Sequence, residues 1–167
     1  FNITNTSLFD EDFLHDYLDI YSKYQISEQL IEFEFMENIR FDYYDQVKEM
    51  IVAFKKRGFT CSLDDFGSGY SSFNILLENL VDVLKIDKMF FDKPLNHKHQ
   101  EVITHIVNMA HTLGMKVLAE GIETKEYVDF LKSIGCDYVQ GYYYYRPMPL
   151  HEFQNLLKKD KHRSQTT

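Results

Sequence analysis

Two adjacent carboxylates, Asp64 and Asp65, follow an alternating run with Phe59, Cys61 and Leu63 and precede Phe66-Gly67-Ser68-Gly69-Tyr70-Ser71-Ser72. The alternation reads as a strand with one apolar face. The glycines and serines behind it give a backbone that can turn sharply and move. Successive strand residues point to opposite faces, so two neighbouring aspartates aim at one place only where the strand is ending. Carboxylates brought that close repel unless a cation lies between them or one takes up a proton. A divalent metal is the commoner solution. On these residues alone, a solvated strand-to-helix loop with Asp as the helix cap is an equal reading.

The elements that must position this pair can be followed along the chain. Phe1-Asn2-Ile3 reads as the tail of a strand, and residues from about Asp10 to Tyr24 as a helix with Phe13, Leu14, Tyr17, Leu18 and Tyr21 on one side. Leu30–Met36 is a strand with Ile31, Phe33 and Phe35 on one face. A helix carrying Val47, Met50, Ile51 and Phe54 follows, and a short helix starts near Ser71. Val81–Ile86 has the apolar character of a buried parallel strand. A helix over about Lys98–Leu113, a strand Met115–Ala119, a helix behind Thr124, a strand Cys136–Gln140 and a helix with Leu150, Phe153, Leu156 and Leu157 complete the pattern. A helix end, a glycine and an apolar strand recur at Gly58, Gly114 and Gly135. Strands alternating with helices imply βαβ units and a parallel sheet. Residues 1–158 form this unit, and 159–167 read as a polar, frayed tail.

Polar residues fall at matching places. Asn2, Glu34, Asp64 with Asp65, Lys85, Glu120 and Gln140 lie in or just after the C-terminal half of the six strands. In a barrel of parallel strands these ends open on one face, where active sites sit.

Bulk composition narrows the partners. The chain has 167 residues, 44% hydrophobic and 26% charged, ordinary values for one domain with a real core. Its formal charge of −8 argues against a nucleic-acid polymer, yet is compatible with a small phosphorylated ligand held through metal ions. Cys61 and Cys136 read as buried thiols, suited to a reducing cytosol. No run reaches the roughly 18 apolar residues of a membrane span. The chain starts without Met inside a strand, as expected of a piece of a longer protein, whose upstream segments can carry a membrane anchor.

Taken in order, the motifs resemble the EAL domain, a bacterial phosphodiesterase domain that hydrolyses cyclic di-GMP. Asn2-Ile3-Thr4 is similar to its Asn-x-Ser, Glu34–Asn38 to its Glu-x-Thr-Glu-Ser, and Asp64–Ser72 to its Asp-Asp-Phe-Gly-Thr-Gly-Tyr-Ser-Ser loop. Leu84–Asp87, Ala119–Thr124, Gln140-Gly141-Tyr142 and Arg146–Pro149 complete the set. The resemblance implies an α/β fold, a TIM-type (β/α)8 barrel with about six of its eight strands present. The Glu-Ala-Leu triplet and a phosphate-contacting Arg lie upstream of the matching stretch in the family and are not among these residues. Barrels of this type run to roughly 250 residues, and the piece is expected to have open sheet edges and to be inactive alone.

The resemblance also implies roles. Two Mg²⁺ or Mn²⁺ ions are held by Asn2, Glu34, Asp64 and Asp65, with Asp64 bridging. Glu120 is the general base or a ligand of the second ion, Lys85 orients water or phosphate, and Gln140 holds the water. Glu37 anchors the loop containing Phe66 and Gly67, and Asp87 and Glu123 assist at the site's edge. The reaction is hydrolysis of cyclic di-GMP to linear pGpG. Homodimers and linked diguanylate cyclase or sensor domains are the partners it implies.

Each role has an alternative in the residues themselves: a turn cap for Asn2, a structural ion pair for Lys85, helix caps for Asp87 and Glu123. Tyr142–Tyr145 offer a guanine-stacking face or alternate between core and surface. His97, His99, His105 and His111 read as solvated helix surface. Met36 and Asn38 stand where the family has Thr and Ser, which alters the setting of Glu34. The alternative functions are a module that binds cyclic di-GMP without hydrolysing it and a dimerisation fragment.

Overall fold

The computed structural model describes residues 1–4, 13–24, 26–37, 43–68 and 73–164. Six parallel strands form one sheet in chain order: β1 (Asn2–Ile3), β2 (Glu32–Met36), β3 (Thr60–Phe66), β4 (Val83–Ile86), β5 (Lys116–Ala119) and β6 (Tyr138–Val139). Parallel neighbours need a crossover between them. The crossovers are α1 (Phe13–Tyr24), α2 (Tyr44–Lys56), α3 (Phe73–Leu77), α4 (His97–Thr112) and α5 (Lys125–Ser133), and α6 (Leu150–Ser164) closes the chain. This is the expected α/β order of a TIM-type barrel, with six strands present.

The two faces of the sheet differ sharply. Phe33 and Phe35, Cys61 and Leu63, Leu84 and Ile86, and Val117 and Ala119 are buried in the main core. They meet Val47, Ile51 and Phe54 of α2, Ile103, Val107 and Ala110 of α4, and Tyr127 and Leu131 of α5. The high aromatic content is spent largely here: Phe33 stacks on Phe54 with centroids 3.7 Å apart, and Tyr17 and Phe59 meet Phe33 edge-on. The alternate residues face the other way, into the barrel interior. There the register sets Asn2 beside Glu34, Glu34 beside Ser62, and Met36 beside Asp64.

Several element ends differ from the sequence expectation. β2 begins at Glu32, because Glu28–Leu30 winds into a 3₁₀ turn that leaves Leu30 exposed. β4 begins at Val83 because the Asp82 carboxylate takes over the ladder, accepting the Cys61 N–H at 3.0 Å and pairing with Lys55 at 2.8 Å. Asp137 does the same before the two-residue β6, accepting the Val117 N–H at 2.9 Å. The last helix runs to Ser164, with no glycine or proline interrupting it. The glycine repeat holds: Gly58, Gly114 and Gly135 all take positive φ after their helices. The start of the first helix near Asp10, Asn38, and the loop from Gly69 to Ser72 lie outside the described residues.

Candidate active site

The polar strand ends gather on the interior face at the C-terminal edge of the sheet. Lys85 of β4 is at the centre. Its ammonium reaches Glu34 Oε1 at 3.1 Å, Asp64 Oδ1 at 2.9 Å and Glu120 Oε1 at 2.9 Å. Three carboxylates from three different strands thus use the three N–H donors of one buried lysine. Burial pulls the Lys85 pKa down, but the hydrogen bonds to Glu120, Asp64 and Glu34 outweigh it and hold it above the ordinary lysine range. The lysine is charged in this setting.

Asp64 and Asp65 converge by a route the sequence reading missed. β3 does not end at them; it runs on to Phe66. Leu63 pairs with Leu84 and Phe66 with Ile86, so three steps on β3 oppose two on β4. The extra residue is a β-bulge. Asp65 takes φ 58°, a left-handed conformation uncommon for a side chain other than glycine or Asn/Asp. The signal was present in the sequence: Leu63 and Phe66 are both apolar at odd spacing, which a regular strand does not bury on one face.

The bulge is tied at both ends by Glu37, itself buried. The Glu37 N–H donates to Asp64 O at 3.0 Å, and its Oε2 accepts the Gly67 N–H at 2.8 Å. Gly67 sits at φ 100°, where an added Cβ would lie 2.3 Å from the Phe90 ring. Burial first, then the neighbouring Asp64 and Asp87 carboxylates, raise the Asp65 pKa. Asp87 additionally caps the 3₁₀ turn Lys88–Phe90, accepting the Met89 N–H at 2.7 Å. Glu120 is raised as well, by burial against the opposing pull of Lys85 and with Asp64 and Glu34 adding to the rise.

Asp64, Asp65 and Glu120 each offer a carboxylate oxygen, and these atoms lie within 4.8 Å of one another. An all-oxygen, carboxylate-rich set suits Mg²⁺ or Mn²⁺. Raised carboxyl pKa values and a single lysine among several acids are the electrostatics that a divalent cation relieves. Glu34 joins this group through Lys85. Asn2 is next to Glu34 in register, on the open edge, and is exposed.

Gln140 follows β6, its N–H donating at 2.8 Å to the carbonyl of Ala119, the residue before Glu120, and Glu123 lies three residues beyond Glu120. Both line a neighbouring cleft of about 580 Å³ with Lys88, Tyr142, Tyr145 and Arg146. All four tyrosines 142–145 are exposed, so they do not alternate into the core. The Arg146 guanidinium lies 4.3 Å from the Tyr142 ring centroid, a stacked pair that the sequence reading did not single out. Gly141 closes the cleft wall against Ile122, whose backbone oxygen would be 2.2 Å from any added Cβ. The histidines split. His97 and His105 flank Glu101 on the exposed side of α4, whereas His111 bonds Asp137 at 2.8 Å.

Comparison with known proteins bears on this arrangement directly. The profile of the EAL domain matches residues 1–147. The chain belongs to the EAL domain family. The cyclic di-GMP phosphodiesterase NbdA of Pseudomonas aeruginosa is 36% identical over 129 residues, 77% of this chain. Among solved structures, the EAL enzyme Bd1971 in its cAMP- and cyclic-di-GMP-bound form superposes with a TM-score of 0.87 at 31% identity, over 93% of this chain. Klebsiella pneumoniae BlrP1, in a complex with manganese and cyclic di-GMP, superposes at 0.78 and 28% identity over 87% of it. This EAL chain spans 16% of the length of NbdA, 41% of the Bd1971 chain and 38% of the BlrP1 chain.

Proposed function

We propose that this EAL chain is part of a metal-dependent phosphodiesterase that hydrolyses cyclic di-GMP to linear pGpG. The observation that carries this reading is the cluster of Asp64, Asp65 and Glu120 oxygens with Lys85 bonded at its centre.

Asp64 and Asp65 would hold Mg²⁺ or Mn²⁺, with Glu34 and Asn2 as further oxygen donors and Glu120 beside them. Bound there, the ions lower the pKa of water and stabilise charge on the leaving oxygen. The remaining chemistry belongs to the side chains. Glu120 takes the proton as the water oxygen bonds to phosphorus. The P–O3′ bond breaks, and the 3′ oxygen leaves as a hydroxyl with a proton from solvent, to which Glu120 returns the one it accepted. Lys85 donates a hydrogen bond to a non-bridging phosphate oxygen and balances the charge that builds there. Gln140 orients the water with its neutral amide. In the adjoining cleft, the Tyr142–Arg146 stack receives one guanine face while Glu123 accepts from the base edge. Glu37 keeps the Phe66–Gly67 turn at the height of the carboxylates.

Incubating the full-length protein with cyclic di-GMP and Mn²⁺ is expected to release pGpG, and Glu120→Gln or Asp64→Asn to slow release by about 10²-fold or more. Unchanged rates would overturn the residue assignment. A second reading, a module that binds cyclic di-GMP without turnover, is favoured by Met36, whose thioether stands in register beside Asp64 where the family has Thr. Ligand binding without any product would establish that reading instead. Homodimer formation and linkage to diguanylate cyclase or sensor domains are proposed for the whole protein. Among the described residues, no helix is long and apolar enough to cross a membrane.

A further inference from the structure

The hydroxyl of Ser62 is fully buried and has no hydrogen-bond partner among the described residues. Register fixes its surroundings. Ser62 pairs with Glu34 on β2 and with Val83 on β4, and it precedes Asp64 by two residues on β3. It therefore faces the barrel interior level with Glu34 and one layer below Asp64, on the side that also carries Lys85. A lone buried hydroxyl is unfavourable where alanine would pack without a polar atom. Lys85, meanwhile, has all three N–H donors committed to Glu34, Asp64 and Glu120. When Glu34 and Asp64 turn their oxygens toward a divalent cation, the ammonium loses acceptors while staying buried.

We propose that Ser62 is a positioning residue whose hydroxyl, directly or through one buried water, accepts the hydrogen bond that Lys85 gives up when its carboxylate partners turn to the metal. It is idle in the metal-free arrangement and engaged in the loaded one. It keeps the ammonium pointing at the phosphate while Glu34 and Asp64 are otherwise occupied. The inference rests on the metal-dependent reading above.

The test compares full-length wild-type, Ser62→Ala and Ser62→Thr proteins by Mn²⁺ titration without substrate, by thermal unfolding in chelator and in Mn²⁺, and by turnover. In Ser62→Ala, Mn²⁺ affinity is expected to fall by about tenfold, while the melting temperature in chelator stays equal to wild type or rises. Ser62→Thr, which keeps the hydroxyl, is expected to bind Mn²⁺ near the wild-type affinity. Wild-type affinity in Ser62→Ala overturns the proposal, as does a loss of stability in chelator, which marks a plain structural role. A wild-type protein that binds Mn²⁺ but makes no pGpG overturns the proposed reaction, and the Mn²⁺ titration of Ser62→Ala still decides the role of Ser62. A wild-type protein that binds no Mn²⁺ overturns both.

Discussion

Lys85 is the residue on which the site's electrostatics turn. A lysine on an otherwise apolar strand announces partners, because burying an unpaired ammonium is costly. Asp64 or Asp65 was the partner legible in the sequence. Glu34 and Glu120 were not, since only the sheet register brings three strands to one nitrogen. Replacing Lys85 with Met leaves three part-buried carboxylates facing one another, and is expected to destabilise metal-free protein by about 3 kcal/mol. The sign with pH follows from Glu120, whose carboxyl is already held above its ordinary value by burial. Such groups cost stability as pH rises, so the loss is smaller in mildly acid than in neutral buffer. Denaturant titrations at both conditions, with and without Mn²⁺, read this out, and Mn²⁺ is expected to restore much of the loss. Asp137 behaves oppositely. Burial pushes its carboxyl up, but the His111 bond and the Val117 N–H outweigh it and lower its pKa. Its stabilisation is present above the unfolded carboxyl pKa and is lost as pH falls through the lower folded one. Asp137→Asn is expected to cost about 1 kcal/mol at neutral pH and to flatten the acid limb of the stability profile.

Among the elements, helices and strands were legible because period and glycine stops agree along most of the chain. Their ends were less so, for one recurring reason. Asp82 and Asp137 use side-chain oxygens to extend the ladder, replacing backbone acceptors at the starts of β4 and β6. No periodicity reports a carboxylate acting as a strand residue. The bulge in β3 escaped in the same way, although its two apolar flanks were visible. The turn beyond it is tightly specified. Gly67→Ala adds a Cβ at 2.3 Å from Phe90 and forces a side chain onto φ 100°. Because Gly67 is exposed while its N–H is fixed by Glu37, the expected result is a displaced turn with the fold retained. Turnover by the full-length variant should fall by about 10²-fold, with only a small change in melting temperature. A wild-type rate would mean that the turn's position is immaterial to the reaction.

Across the whole molecule, one face of the sheet is committed to core and the other to polar chemistry. That division explains why so much of the fold could be read from apolar runs while the site needed the resemblance. Each of six strand ends carried one polar residue, but only assembly shows which meet. Asp64, Asp65, Glu34, Glu120 and Lys85 do, while Gln140 and Glu123 also line the neighbouring cleft. Within the described residues, β1 pairs only with β2 and β6 only with β5, so both sheet edges are open. Beside β1, Phe1, Ile20, Tyr24 and Leu30 are exposed around an apolar cleft. The 167-residue chain in isolation is therefore expected to bind an apolar dye and to associate with rising concentration. Ile20→Lys with Leu30→Lys should suppress both in dye fluorescence and sedimentation.

The bulge also governs which changes of chain length this site tolerates. Leu63 and Phe66 are both inside the core only because one residue too many lies between them. Deleting Asp65 would leave an ordinary ladder, with Leu63 and Phe66 still inward and one carboxylate remaining. Deleting a residue on either side of that pair would instead turn a core residue outward. Loss of one codon from the Asp64–Asp65 pair is thus the one the fold absorbs and the paired carboxylates do not. A descendant could lose the carboxylate pair in one step while keeping its barrel intact.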